Sequence, residues 1–203
     1  MKKIVIASSN PGKLREFRQM LGPIGFEIVP QSALGITDAD EPHDTFVENA
    51  LAKARHASRL ARMPALADDS GICVAALGGA PGVHSARYAD GGREVSREVQ
   101  DERNNRKLIG ELAGNPDRRA HYYCVIVLAR HADDPEPLIA QGRWHGCVIE
   151  TPRGSNGFGY DSYFFLPELG FTAAELDPDS KNRVSHRAQA LRQLVSALES
   201  EPA

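Results

Sequence analysis

Short apolar runs alternate with segments of helical period along the N-terminal third of the chain, and this alternation restricts it to an α/β architecture more than any other feature. An apolar run at Lys3 to Ala7 precedes a helical pattern from Pro11 to Leu21, and a second strand candidate follows at Phe26 to Val29. A polar, acid-rich connection from Thr37 to Asp44 leads into a second helix, in which Phe46, Val47, Ala50, Leu51, Ala54 and Ala57 recur at helical spacing. Thr45 and Glu48 have the spacing of a capping box, and Pro64 stops the element.

The next run, Ala65-Leu66-Ala67, reads as a buried strand that ends at Asp68-Asp69-Ser70-Gly71, which would set both acids at a strand's carboxyl end. Gly78 to Gly82 reads as a rigid turn, and the charged stretch from Asp90 to Lys107 as a solvated loop entering a helix. The strongest β signals are Tyr122 to Ala129 and Leu138 to Glu150, the latter broken by Gly142 and Gly146, with a hairpin loop at Arg130 to Pro137. A last helix begins near Ser185 and carries Ala188, Leu191, Leu194, Val195 and Leu198 as its apolar stripe. The expectation is a mixed, twisted sheet with flanking helices, formed as one domain of two lobes around a central cleft. A chain of 203 residues is long enough to bury a substantial core.

Composition removes several function classes. No stretch approaches the roughly 20 apolar residues needed to span a bilayer, and the first apolar run is too short for a signal-peptide core, so the sequence reads as a cytoplasmic protein with no membrane partner. Cys73, Cys124 and Cys147 stand far apart without a CxxC spacing, which indicates neither a zinc site nor a disulfide framework; buried free thiols are expected. A formal net charge of -3 argues against a surface that neutralises many nucleic-acid phosphates. Phosphate chemistry, if present, belongs in a pocket.

Two helix starts carry cations where helix electrostatics disfavour them. Ser8-Ser9-Asn10-Pro11-Gly12-Lys13 suits an N-cap at Asn10 and a first helical residue at Pro11, which puts Lys13 in the first turn. An ammonium there is disfavoured by about 0.3 to 1 kcal/mol unless an anion compensates. A phosphate bound by the turn's amides would remove the conflict, and so would a lysine bent out to water. The same conflict recurs at Ser185-His186-Arg187, where Ser185 is a natural N-cap and both following residues are basic. Arg187 can fork onto carbonyl or phosphate oxygens and His186 can donate to a base edge, although such a pair is commonly a surface feature.

Asp68-Asp69 and the acids Asp40, Glu41 and Asp44 come from separate connections, the arrangement a magnesium ion needs when it is held by one or two carboxylates plus substrate phosphates. Asp69 is the candidate proton acceptor from an attacking water. Taken alone, Asp68 to Gly71 reads more simply as an Asx turn, and Asp40-Glu41 as a solvated loop. Ser155 to Asp161 joins turn glycines to two aromatics and an acid, so that Phe158 can stack on a purine while backbone groups at Gly157 and Gly159 read its edge; a turn with core aromatics is the plainer alternative. Lys181 adds to the basic cluster at the last helix's entrance.

Together, Ala7 to Lys13, Ala67 to Gly71, Gly78 to Arg87 as GGAPGVHSAR, Phe158 to Asp161 and Ser185 to Arg187 resemble the Ham1 family of pyrophosphatases, in order from residue 4 to about residue 198. The resemblance implies a homodimeric, Mg²⁺-dependent enzyme with a nucleotide cleft. Its substrates would be non-canonical purine nucleoside triphosphates (ITP, dITP, XTP), cleaved to monophosphate and pyrophosphate. Carried over by position, Ser8, Ser9, Asn10, Pro11, Gly12 and Lys13 would hold the triphosphate, with Lys53 near the phosphates. Asp69 would be both base and metal ligand, with Asp40 and Glu41 beside the metal, and Ser70 would touch substrate. Phe158, Gly159, Tyr160, Asp161, Lys181, His186 and Arg187 would hold base and sugar. The family places a Glu-Glu pair where this chain has Asp40-Glu41, which leaves open which of the two reaches the metal.

Overall fold

The computed structural model describes residues 2–89 and 95–200. Its strands are β1 (Lys2–Ile6), β2 (Phe26–Pro30), β3 (Ala65–Val74), β4 (Arg119–Ala129), β5 (Leu138–Val148), β6 (Phe164–Leu166) and β7 (Phe171–Thr172), in the spatial order β2-β1-β3-β4-β5-β6-β7. The helices are α1 (Pro11–Leu21), α2 (Phe46–Ala61), α3 (Arg97–Glu111), α4 (Pro178–Val184) and α5 (His186–Ser200). β1 pairs in parallel with β2 and β3, whereas β5–β6 and β6–β7 are antiparallel, so the sheet is mixed, as the alternating pattern anticipates. No helix among the described residues is long and apolar enough to cross a membrane.

The chain divides into two compact units, each with its own core. The first comprises 1–69, 124–142 and 189–203. There, Ile4 and Ile6 of β1, Leu14, Phe17 and Leu21 of α1, Leu66 of β3, Ile126 of β4 and Leu191 and Leu194 of α5 form one apolar cluster. Each such side chain contributes about 1.5–3 kcal/mol on burial. The spacing 14, 17, 21 on α1 and 191, 194 on α5 is the helical period read from the sequence. The second unit comprises 70–123 and 143–188. Its core joins Ile72, Val74, Leu108, Leu112, Tyr122, Trp144, Tyr160, Phe164 and Leu166.

Local signals hold at most helix starts. Asn10 Oδ1 accepts from the amides of Gly12 and Lys13, Thr45 Oγ1 from Glu48 and Ser185 Oγ from Ala188. Four expectations change. The strand at Ala65 does not end at Asp68; β3 continues through both acids to Val74, because the acids are ion-paired in place rather than solvated in a turn. β5 is continuous through Gly142 and Gly146. α4 occupies a stretch the sequence pattern left unassigned, since it is short and lacks an apolar stripe. Of the three free thiols only Cys124 is buried; Cys73 and Cys147 are partly exposed. The loop expected from Asp90 lies over 90–94 outside the described residues, and α3 follows from its N-cap Ser96.

Gly146 serves close approach instead of a break. A Cβ there would overlap the Phe165 carbonyl and the Phe164 ring, where β5 pairs with β6 at Cys147↔Phe165. Gly146→Ala is therefore expected to destabilise the folded chain by about 1–3 kcal/mol, measured as a lower midpoint in denaturant with unchanged slope.

Candidate functional site

In the first unit the acids of β3 meet two lysines. The parallel pairing of β3 with β1 ends at Leu66, whose carbonyl accepts from the Ala7 amide, so Asp68 and Asp69 follow directly where β1 has run out. Lys13, in the first turn of α1, places Nζ 3.0 Å from Asp68 Oδ2. Lys53 of α2 places Nζ 2.6 Å from Glu41 Oε1 and 3.0 Å from Asp69 Oδ1. The Asp68 side chain is fully buried, and those of Asp69 and Lys53 are 8% and 10% exposed. The anion that compensates Lys13 at its helix start is therefore a carboxylate of the chain itself, not solvent.

Burial by itself would lower the Lys53 pKa, but the Asp69, Glu41 and Asp68 carboxylates outweigh it and hold the ammonium above its ordinary value. Burial pushes the Asp69 carboxyl up, with Lys53 pulling it down and Glu41 adding to the rise. The lysine stays protonated, and the aspartate is a stronger base than an exposed one. Asn49, one turn before Lys53 on α2, donates from Nδ2 to Asp69 Oδ2 at 3.4 Å and to the His43 carbonyl at 3.0 Å, while its Oδ1 accepts from the His43 amide at 3.1 Å. It ties the acidic connection to the same carboxylate. Sequence reasoning missed it; the available signal was a polar residue spaced i, i+4 from Lys53 beside the buried Ala50, Ala54 and Ala57.

The segment before α1 divides its groups between structure and availability. Ser8 Oγ accepts from the Asn10 amide, Ser9 Oγ donates to Asp38, and the Gly12 and Lys13 amides are taken by the Asn10 cap. Pro11 holds the first helical position. Asn10 Nδ2 is buried with no acceptor among the described residues, a donor suited to an anionic oxygen.

A divalent cation fits the acid set by charge and donor type. Three carboxylates, of Glu41, Asp68 and Asp69, face two ammonium groups, and all offer hard oxygen donors. Among the described residues no three His, Cys, Asp or Glu side chains gather as a complete metal cage, which Mg²⁺ does not need when phosphates and waters complete its shell. Of the acidic pair, Glu41 stands beside Lys53 and Asp69, whereas Asp40 is exposed.

In the second unit Asp161 is the hub. Its Oδ2 accepts from Lys181 Nζ at 2.6 Å and from the Phe158 amide at 2.9 Å, and the Tyr122 hydroxyl donates to the same carboxylate. Burial, then the Asp161 charge, push the Tyr122 phenol above its ordinary value, so it remains a donor. The Tyr122 ring also lies parallel to that of His186, centroids 4.7 Å apart and 9° between planes. Gly157 has φ +81°, and a Cβ there would strike Asp161, so the turn requires glycine. Lys181 Nζ lies 5.0 Å from the Phe158 ring centroid, within cation–π range.

Ser185 closes α4, its amide donating to the Lys181 carbonyl, and opens α5 with its hydroxyl. That double cap sets His186 and Arg187 in the first turn of α5, both buried, with Arg187 Nη2 donating to Ser70 Oγ at 3.0 Å. Tyr160 turns inward instead: it is 4% exposed, and its hydroxyl donates to the Ser85 carbonyl at 2.8 Å.

The mixed seven-stranded sheet with its flanking helices defines an α/β protein, one whose first unit carries two lysines paired with three carboxylates. The model of the Ham1 family matches residues 4–197, and the chain belongs to that family. It is 64% identical over 200 residues to a dITP/XTP pyrophosphatase of Ralstonia nicotianae, covering 98% of this chain and 97% of the relative. It is 63% identical over 198 residues to one from Nitrosomonas europaea, covering 98% and 95%. A solved HAM1 protein from Coxiella burnetii superposes with a TM-score of 0.89 at 46% identity, covering 99% of this chain and 100% of that one. The Staphylococcus aureus Ham1 protein does so at 0.85 and 37%, with the same coverage.

Removing one partner of the buried ion cluster leaves uncompensated charge. Lys53→Met is expected to destabilise the chain by about 3–5 kcal/mol in denaturant titration at pH 7, and adding Asp69→Asn to recover part of that loss. A loss in the double variant equal to the sum of the losses in Lys53→Met and Asp69→Asn alone would mean the pair is not coupled.

Proposed function

We propose that this chain hydrolyses non-canonical purine nucleoside triphosphates, ITP, dITP and XTP, to the monophosphate and pyrophosphate with Mg²⁺, and so removes deaminated purines from the nucleotide pool. The observation that carries the reading is the cluster of Lys13, Lys53, Glu41, Asp68 and Asp69, in a chain whose Ham1 relatives act as dITP/XTP pyrophosphatases. Lys13 and Lys53 face the phosphates, with Asn10 Nδ2 as a further donor and the Ser8 to Gly12 segment around them. Asp69 and Glu41 would hold the cation, with Asp40 adding charge at the loop's edge, and the ion would supply charge neutralisation at the phosphate oxygens.

The reaction places a water oxygen on phosphorus, breaks the anhydride between the α and β phosphates, and leaves the water's proton on Asp69. A carboxylate made more basic by burial is suited to accept it. Pyrophosphate departs with the charge of the broken bond, which the lysines offset.

Base and sugar fall to Phe158, Gly159, Tyr160, Asp161, Lys181, His186, Arg187 and Ser70, with Phe158 as the stacking surface and Tyr160 acting from the core behind it. His186 and Arg187 offer donors to a 6-oxo group. Adenine presents an amino donor there instead, so buried donors would go unpaired at about 1–3 kcal/mol each. We assign the 203 residues to one pyrophosphatase domain that works as a cytoplasmic homodimer, with neither nucleic acid nor membrane as partner; the net charge of -3 supports the former exclusion.

A panel of nucleoside triphosphates with Mg²⁺, scored for monophosphate and pyrophosphate, is expected to rank ITP, dITP and XTP far above ATP, and chelation to abolish turnover. Asp69→Asn should lose at least about 10²-fold in kcat while still binding ITP, and Lys13→Ala should weaken that binding. Pyrophosphate release undiminished in Asp69→Asn would remove Asp69 from the chemistry.

A further inference from the structure

The segment assigned to the base is held from outside by α3, a helix to which neither the sequence motifs nor the reading above give a role. Arg97, Asp101 and Asn105 stand at i, i+4 and i+8 and therefore share one face of that helix. Between them they reach two adjacent residues, Phe158 and Gly159. Asp101 Oδ2 accepts from the Gly159 amide at 2.8 Å, Asn105 Nδ2 donates to the Gly159 carbonyl at 2.9 Å, and the Arg97 guanidinium lies 5.7 Å from the Phe158 ring centroid.

Both polar groups of Gly159 are thus bound to side chains one turn apart. The neighbouring Asn104 serves another segment, donating to the carbonyls of Ser85 and Ala86 and accepting from the Ala89 amide. Further along, α3 is anchored by Leu108 and by its C-cap Leu112, both fully buried in the second unit's core. The helix is accordingly a fixed reference, and Asp101 and Asn105 transfer its position to the turn. Without them, the hydrogen bonds that Phe158 and Gly159 retain among the described residues are the Phe158 amide bond to Asp161 and the turn's own Asp161-to-Phe158 backbone bond, beside the Lys181 and Arg97 contacts with the Phe158 ring.

We propose that Asp101 and Asn105 are positioning residues for base selectivity, which by gripping the Gly159 peptide hold the Phe158 ring and the adjacent backbone in the geometry that separates 6-oxo purines from adenine. This rests on the base-binding reading of that segment. Neither residue touches the reacting phosphates, so their loss acts on recognition and not on the chemical step. A misplaced edge reader costs the favoured base its hydrogen bonds and costs the disfavoured base little, so discrimination falls more than turnover.

The test compares the wild-type chain with Asp101→Ala, Asn105→Ala and Asp101→Asn, the last of which keeps an acceptor oxygen. For each alanine variant the expected result is a rise of about tenfold in KM for ITP, from the loss of one buried hydrogen bond and the freed turn. The ITP-to-ATP ratio of kcat/KM should fall by a similar factor, with kcat for ITP within about twofold of wild type and calorimetric affinity for inorganic tripolyphosphate unchanged. Asp101→Asn should restore most of the ratio. A merely structural role would instead lower kcat and tripolyphosphate affinity together and leave the ratio where it was, and that result overturns the proposal. If the alanine variants do not fold, amide hydrogen exchange on the wild type decides: a Gly159 amide without protection overturns it, and one protected to the level of α3 supports it. Failure of the wild type to hydrolyse ITP would count against the proposed function, while the exchange measurement would still judge the grip on Gly159.

Discussion

A buried and a partly buried lysine set among three carboxylates govern the first unit. Lys53 is shared by Glu41 and Asp69, and Lys13 is taken by Asp68, so none of these charges stands alone in a region where an isolated one would cost several kcal/mol. The cluster explains why β3 runs through two consecutive aspartates, which as solvated residues would end a strand. It also explains why Lys13 is stable at a helix start. Asn49 extends the same logic: its amide closes on both sides of His43 and so brings the acidic connection, and with it Glu41, to a set place beside Asp69.

The second unit is organised differently, around a carboxylate that receives neutral donors as well as a charge. Asp161 gathers Lys181, the Phe158 amide and the Tyr122 phenol, and Gly157 is the residue whose missing side chain makes room for it. The turn is held from α3 through both polar groups of Gly159, while Ser185 joins α4, which carries Lys181, to α5. A turn built this way is rigid for reasons lying mostly outside its own residues. The proposed base-reading role would draw on that anchoring, since small errors in the position of a hydrogen-bonding edge translate directly into lost discrimination.

The helices α1 and α2, the β hairpin around Arg130 to Pro137 and the start of α5 were legible from caps, prolines and apolar period, because those signals are local and each is stated within a few residues. α4 and the full length of β3 were not. A seven-residue helix has no apolar stripe to detect, and a strand with two aspartates at its centre contradicts its own composition until the lysines that neutralise it are in place. The basic helix starts pointed correctly to unusual electrostatics but not to their cause at Lys13, where the compensating anion is Asp68.

For the site, the sequence alone determined the inventory: which segments carry lysines, acids, an aromatic glycine turn and a His-Arg pair, and, through their order, the Ham1 family. Tertiary structure decided which of those groups meet. It chose Glu41 over Asp40 as the neighbour of Lys53, sent the Tyr160 hydroxyl to the Ser85 carbonyl, and recruited Asn49, Tyr122, Asp101 and Asn105, none of which belongs to a motif. The physical reason is range. Caps and periodicity act between residues three or four apart, while ion pairs and buried hydrogen bonds join residues 12, 16, 54 and 58 positions apart, and only the folded chain brings such partners within 3 Å.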